Sequence, residues 1–308
     1  MSRTIILGTR SSPMAVAVAQ QARSLIERQH HGIKVEVRGF ASLGDRVPGD
    51  LKVFGGKGAF VKDLEDRLLN REIDCAIHAL KDIPGDIAPH PDLVLCSFFQ
   101  RSDPRDALIM RAGLAAPGRD AEGLVIGTTS PRRQAQLRKM HEGMNVVALR
   151  GNVDSRLHKL DDKQLDGIVV SVAGLGYLNA LDRITKIYEP EEMLPAVGQG
   201  VLCLQIRRED FARCSYLRTI NSETTEIMAK AERAMLETLQ GNCYSAIAGY
   251  CAPDASGLKM AGAVFSPDGK IQMKCESRQP DSGQPEQLGR GIGEQLLTLG
   301  ARDLIGLA

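Results

Sequence analysis

The chain has almost no net charge, no long apolar run and no paired-cysteine spacing, and each lack removes a class of function. Lys and Arg number 39 against 38 Asp and Glu, a net charge of +1. Nothing in that balance points to nucleic acid or an anionic membrane surface as a partner, so any anion site must come from local placement of arginines. The longest weakly polar run, Ile168 to Gly176, falls far short of the roughly 20 residues that cross a bilayer. The opening MSRTIILGTR holds an apolar stretch of only about four residues, too short for a secretory core, so a cytoplasmic location is expected. The seven cysteines (75, 96, 203, 214, 243, 251 and 275) make no C-x-x-C and no zinc-ligand spacing, so neither a disulfide framework nor a metal site is expected. The phosphate-loop pattern G-x-x-x-x-G-K-[ST] is also absent, which disfavours a nucleotide.

What is present is an ordinary globular balance, 43% hydrophobic and 25% charged over 308 residues, which argues against extensive disorder and for two or three domains. Thr4 to Gly8 reads as a strand. Ser11-Ser12-Pro13 then starts a helix running to about Gln29, with a hydroxyl cap and Pro in the first turn. Strand Val35–Phe40, helix Ala59–Asn70 and strand Cys75–Leu80 follow. The same plan returns mid-chain, where Val125-Ile126-Gly127 ends a strand, Thr128-Thr129-Ser130 caps, and a helix runs from Pro131 to about Met140. Two α/β domains of similar plan are expected, each presenting a helix N-terminus that favours anions. Val201–Ile206 is a strand that could complete the second sheet or return to the first. A long helix over 222–239, strands near 247–251, 258–265 and 271–276, and a helix over 285–297 make a smaller α+β domain with an antiparallel sheet.

Five arginines, Arg10, Arg132, Arg133, Arg150 and Arg156, fall at strand-to-helix junctions. The planar guanidinium fork matches carboxylates, so a ligand with several carboxylates is the natural expectation, with phosphate as the competitor. Gly55-Gly56-Lys57-Gly58 reads as a loop from which Lys52 and Lys57 could reach anions. Asp82 follows an apolar strand and is either an acid/base or cation-stabilising group or simply the start of an Asp-Ile-Pro turn. Cys243 follows the long helix in Gly241-Asn242-Cys243, where Gly and Asn read as a cap and the thiol is either reactive or small core filler.

Taken in order, these motifs resemble the porphobilinogen deaminase (hydroxymethylbilane synthase) family. The signposts are GTRSSPMA (8–15), GGKGAFVK (55–62), HALKDIP (78–84), DPRDA (103–107), GTTSPRRQ (127–134), LRGNVDSRL (149–157), PAVGQG (195–200), AERAM (231–235) and GNC (241–243), collinear from Leu7 to the last helix. The resemblance implies two periplasmic-binding-protein-like α/β domains, 1–100 plus 198–217 and 101–197, and a smaller α+β domain, 218–308, carrying the cofactor cysteine. It implies a transferase of tetrapyrrole (haem) biosynthesis that joins four porphobilinogen molecules head to tail, releases ammonia and hydrolyses off hydroxymethylbilane. Growth occurs on a dipyrromethane held by a thioether to the cysteine that Cys243 matches. Asp82 matches the catalytic aspartate. Lys81, Thr128, Ser130, Arg132, Arg133, Asn152, Arg156 and Gln199 match cofactor-holding positions. Arg10, Ser12, Arg150 and again Arg156 match substrate-site positions, and Lys52, Lys57 and Phe60 fall in the lid region. The implied partner is porphobilinogen alone, with no nucleic acid, membrane or metal, and a monomer is expected.

The sequence departs from the family's pattern at Tyr177, where an arginine is usual, at Ala79 in place of Ser, at Pro131 in place of Leu, at Asn242 in place of Gly, and at Tyr244-Ser245-Ala246 after the cysteine. The alternatives are a divergent paralogue acting on another pyrrole or making a shorter product, and a non-catalytic anion-binding protein.

Overall fold

A computed structural model describes residues 3–41, 58, 61–242, 244–280 and 283–306; Cys243, Lys52, Lys57 and Phe60 lie outside them. The chain divides into two compact units, Met1–Arg101 with Val201–Glu226, and Ser102–Gly200 with Ile227–Ala308. Strands β1 (Arg3–Arg10), β2 (Ile33–Phe40), β3 (Cys75–Ala79) and β4 (Leu93–Phe98) belong to the first unit. Strands β5 (Asp106–Met110), β6 (Val125–Gly127), β7 (Asn145–Val147), β8 (Gly167–Ser171) and β9 (Lys186–Tyr188) belong to the second. The chain then returns β10 (Leu202–Arg207) to the first unit and places β11 (Ile247–Asp254), β12 (Gly257–Phe265) and β13 (Gln272–Gln279) in the second. The helices are α1 (Pro13–Gln29), α2 (Lys62–Leu69), α3 (Pro131–Met140), α4 (Val153–Asp161), α5 (Val172–Tyr177), α6 (Glu223–Leu239), α7 (Pro285–Thr298) and α8 (Ala301–Gly306).

The two larger sheets share one strand plan. The first runs β2-β1-β3-β10-β4 and the second β7-β6-β8-β5-β9. β1 lies parallel to β2 and β3, as β6 does to β7 and β8. β10 is antiparallel to β3 and β4, as β5 is to β8 and β9. The open question over Val201–Ile206 is thus answered, since β10 enters the first sheet.

The repeated strand–cap–Pro–helix pattern folds the same way twice. Ser12 takes an extended backbone and accepts the Ala15 N–H at 3.3 Å, with Pro13 opening α1. Ser130 does the same for α3, accepting the Arg133 N–H at 3.4 Å ahead of Pro131. Each cap satisfies one of the N–H groups a helix start leaves orphaned, and Pro supplies none to satisfy. A Cβ on Gly127, at the end of β6, would come within 2.9 Å of Leu149 and Leu165, so only glycine lets the strand end pass there.

The small sheet β11-β12-β13 is antiparallel throughout. One side is covered by α6 and α7 through a core that includes Met235, Met260, Ile292 and Leu296. Ala246, Ala248, Ala263 and Phe265 cluster instead with Leu194 and with Ala135 of α3. Full burial of a side chain such as Phe265 stabilises by about 1.5–3 kcal/mol, so this cluster clamps α3 to the sheet within the second unit. Helix α6 ends at Leu239 as expected, but the left-handed cap falls on Gln240 rather than on Gly241. Gln240 takes the left-handed conformation (φ +54°), and the Gly241 N–H reaches back to Leu236 O at 3.0 Å. A Cβ on Gly241 would stand 2.4 Å from Ile247 Cδ1, so a larger residue there would have to displace that side-chain end. Helix α8 was not anticipated.

A candidate anion-holding site

In the second unit two of the five expected arginines, Arg132 and Arg133, gather around Asp106. Asp106, the first residue of β5, is fully buried. Arg132 Nη1 donates to Asp106 Oδ2 at 2.6 Å and to Leu194 O at 2.9 Å. Arg133 Nε and Nη2 both donate to Asp106 Oδ1, at 2.9 and 2.7 Å. Gln199 completes the cluster, its Nε2 donating to Asp106 Oδ1 (2.9 Å) and Pro104 O (2.7 Å) while its Oε1 lies 3.5 Å from Nη2 of both arginines. Burial would push the Asp106 carboxyl up, but the Arg132 and Arg133 charges outweigh it and hold the group well below the usual carboxylate range. Arg132 and Arg133, anticipated as ligand donors, therefore have much of their donor capacity committed inside the protein. Arg132 Nε is the exception, buried with no hydrogen-bond partner among the described residues. An acid heading the apolar run Ala107-Leu108-Ile109-Met110 must be paired in the core, and that was the signal for Asp106.

Arg156, half-buried on α4, donates to Gly151 O at 2.8 Å and to Thr129 Oγ1 at 3.3 Å, and has no carboxylate partner among the described residues. Burial and then the Arg133 cation lower its pKa to about 10. Arg132 and Arg133 thus share one carboxylate, and Arg156 is a third guanidinium with none among the described residues. Thr128 is buried and its Oγ1 accepts the Ser130 N–H at 3.3 Å, so both hydroxyls help shape the α3 start. Asn152 sits at the α4 start, where its carbonyl rather than its side chain takes the Ser155 hydroxyl at 2.9 Å. Arg150 is exposed, its carbonyl bonded to Lys159 Nζ at 3.1 Å. Tyr177 ends α5 with its hydroxyl 3.0 Å from Ser102 Oγ.

In the first unit, Lys81 and Asp82 lie half-buried in a single 3₁₀ turn, Leu80–Asp82, that continues β3. The Asp82 carboxylate makes no hydrogen bond or ion pair among the described residues, though its charge acts on the nearby His78 imidazole. Four residues earlier, the buried His78 Nε2 donates to Gln205 Oε1 at 3.0 Å, and Gln205 Nε2 donates on to Glu65 at 2.8 Å. Burial lowers the His78 pKa to about 4, so its imidazole is neutral near pH 7. Arg10 ends β1 half-buried, and Ser12 is the buried α1 cap. No cluster of His, Cys, Asp and Glu able to hold a metal occurs among the described residues, and no described helix is long and apolar enough to cross a membrane.

The strand plan and this excess of guanidinium over carboxylate define an α/β protein suited to a small ligand with several carboxylates. The chain belongs to the porphobilinogen deaminase family. Residues 5–214 match the model of the porphobilinogen deaminase dipyromethane cofactor binding domain, and residues 227–298 that of its C-terminal domain. Porphobilinogen deaminase of Gloeobacter violaceus is 39% identical over 99% of this chain and 94% of its own length. Porphobilinogen deaminase 2 of Streptomyces coelicolor is 37% identical over 96% and 95%, and the enzyme named porphobilinogen deaminase in Coxiella burnetii strain Dugway 35% over 98% and 97%.

The donor set suits the cofactor that this family's domain binds. A dipyrromethane carries carboxylate arms, and among the described residues the second unit offers Arg156 without a carboxylate partner and a buried Arg132 Nε without a hydrogen-bond partner.

Proposed function

We propose that the chain is a hydroxymethylbilane-forming transferase, condensing four porphobilinogen molecules head to tail on a dipyrromethane attached through a thioether to Cys243. The observation that carries this is Arg156, a half-buried cation with only neutral acceptors among the described residues, beside an arginine pair whose single carboxylate is already shared. When bound, the dipyrromethane would supply the free pyrrole carbon to which the first unit is joined, each later unit joining the one before it. Arg156, the Arg132 Nε and Thr128-Thr129-Ser130 at the α3 start would hold its carboxylates. Arg10, Ser12 and Arg150 would hold those of the incoming substrate. Lys81, Asn152 and Gln199 are likewise assigned to the cofactor, and Lys52, Lys57 and Phe60, outside the described residues, to a lid. The Asp82 carboxylate, uncommitted among the described residues, would accept pyrrole N–H groups and stabilise the cation that develops as ammonia leaves. The division 1–100 plus 198–217, 101–197 and 218–308, a cytoplasmic location and a monomeric state belong to this proposal.

Intact mass of the denatured protein tests it. A mass increment of two condensed pyrrole units is expected, absent from Cys243→Ser, while Asp82→Asn should load yet lose turnover. An unmodified wild-type mass after exposure to porphobilinogen would refute the attachment. The Tyr177 hydroxyl, bonded to Ser102 where the family usually has an arginine, favours a second reading, a relative acting on another pyrrole or stopping at a shorter product. Absence of uroporphyrin after acidifying and oxidising a reaction of fully loaded protein would select that reading.

A further inference from the structure

We propose that Glu232 is a positioning residue whose buried carboxylate sets the 195–200 loop, and through Gln199 the arginine pair, against the strand that runs on from Cys243, so that it governs uptake of the cofactor. The inference rests on the assignment of Cys243 as the attachment point. Glu232 lies on α6 and is fully buried. Its Oε2 accepts the Gly198 N–H at 2.7 Å, and its Oε1 accepts the Cys251 N–H at 2.8 Å. Gly198 takes a left-handed backbone (φ +73°), and the next residue is Gln199, bonded to Asp106 between the two arginines. Cys251 lies on β11, which begins at Ile247, four residues beyond Cys243 in the sequence. The Gly249 N–H also donates to Pro195 O at 2.9 Å, so loop and strand meet twice.

A carboxylate is a costly group to bury, and the neighbouring α6 core residues Ala231 and Met235 show that apolar packing is available on this helix. Toward these two segments an acid adds two acceptor oxygens, one for each N–H donor. Glutamine has nearly the same shape but only one acceptor oxygen, and its NH₂ would face one of the donors. One of the two segments would then lose its tie while the volume of the core is kept.

The test uses apo protein made in cells unable to form porphobilinogen, then incubated with porphobilinogen, with the loaded fraction followed by intact mass. Glu232→Gln should unfold cooperatively in urea yet load at least about tenfold more slowly, the scale of one lost hydrogen bond to a charged group. Adding Gln199→Ala to it should slow loading no further, because both changes act through one connection. Loading of Glu232→Gln at the wild-type rate, or a loss that multiplies with that of Gln199→Ala, would overturn the proposal. If Glu232→Gln does not fold, Glu232→Asp replaces it under the same criteria, and failure of both to fold assigns Glu232 to folding alone and overturns the idea. A wild type that never loads would instead sink the proposed function.

Discussion

Replacing Asp106 with Asn would leave Arg132 and Arg133 buried among neutral acceptors. Both guanidinium groups are almost without solvent contact, and one carboxylate serves the pair. Removing one partner of a buried ion pair typically costs about 3–5 kcal/mol, because the remaining charge loses its compensation. Asp106→Asn is therefore expected to lower the urea unfolding free energy of the chain by about that amount, and a loss below about 1 kcal/mol would show that Gln199 and Leu194 O suffice to hold the arginines. The arginines themselves were legible in the sequence, because Arg beside Ser, Thr and Gly at a strand end is a local pattern. Their engagement with Asp106 was not. The partners are separated by 26 and 27 residues, and Asp-Pro-Arg-Asp reads as a turn until β5 is known to be buried. Arg156 shows the reverse case, since its expected role came from its place in the family motif and is compatible with the neutral contacts it makes.

Helices α1 and α3 were legible for a physical reason: capping hydroxyls and first-turn prolines act within four residues, so the signal lies wholly inside the segment it determines. The places of β5 and β10 were not, because strand pairing joins segments far apart and hydrophobic runs do not name their partners. Each of these strands sits close in sequence to a crossing between the units, which puts strict demands on the connecting backbone. Gly200 is one such point. It has φ +80°, and a Cβ there would stand 2.5 Å from the Ser102 carbonyl oxygen, a backbone atom that no side-chain rotation can clear. Its carbonyl also accepts the Ser102 N–H at 2.9 Å. Gly200→Ala should thus destabilise by about 1–3 kcal/mol through strained backbone, measurable as a lowered urea midpoint with unchanged slope. An unaffected midpoint would mean that the 195–200 loop can shift away from Ser102 at little cost.

At the scale of the whole chain, a net charge of +1 leaves little global repulsion near neutrality, so the pH dependence of stability should come from individual buried groups. Two of them act in different windows. Asp106 has a depressed carboxyl, so its stabilisation is complete above the ordinary unfolded value near 3.9 and is lost only as pH falls through its lower folded value. It contributes no slope between pH 7 and 5. His78 does, because its folded pKa is about 4 whereas an unfolded histidine titrates near 6.5. Above about 6.5 neither state carries the extra proton and the contribution is full. As pH falls below that value the unfolded chain gains a proton that the buried imidazole refuses, and stability declines until the folded group titrates too. The wild type should therefore lose up to about 1.4 kcal/mol per pH unit more than His78→Gln between pH 6 and pH 5, in urea unfolding at fixed ionic strength. Glutamine can keep a donor toward Gln205 Oε1 and has no proton to take up, so the comparison isolates titration from the hydrogen bond. Equal slopes would show that His78 is protonated in the folded protein over this range, and that the chain from His78 through Gln205 to Glu65 is arranged around a cation rather than a neutral ring.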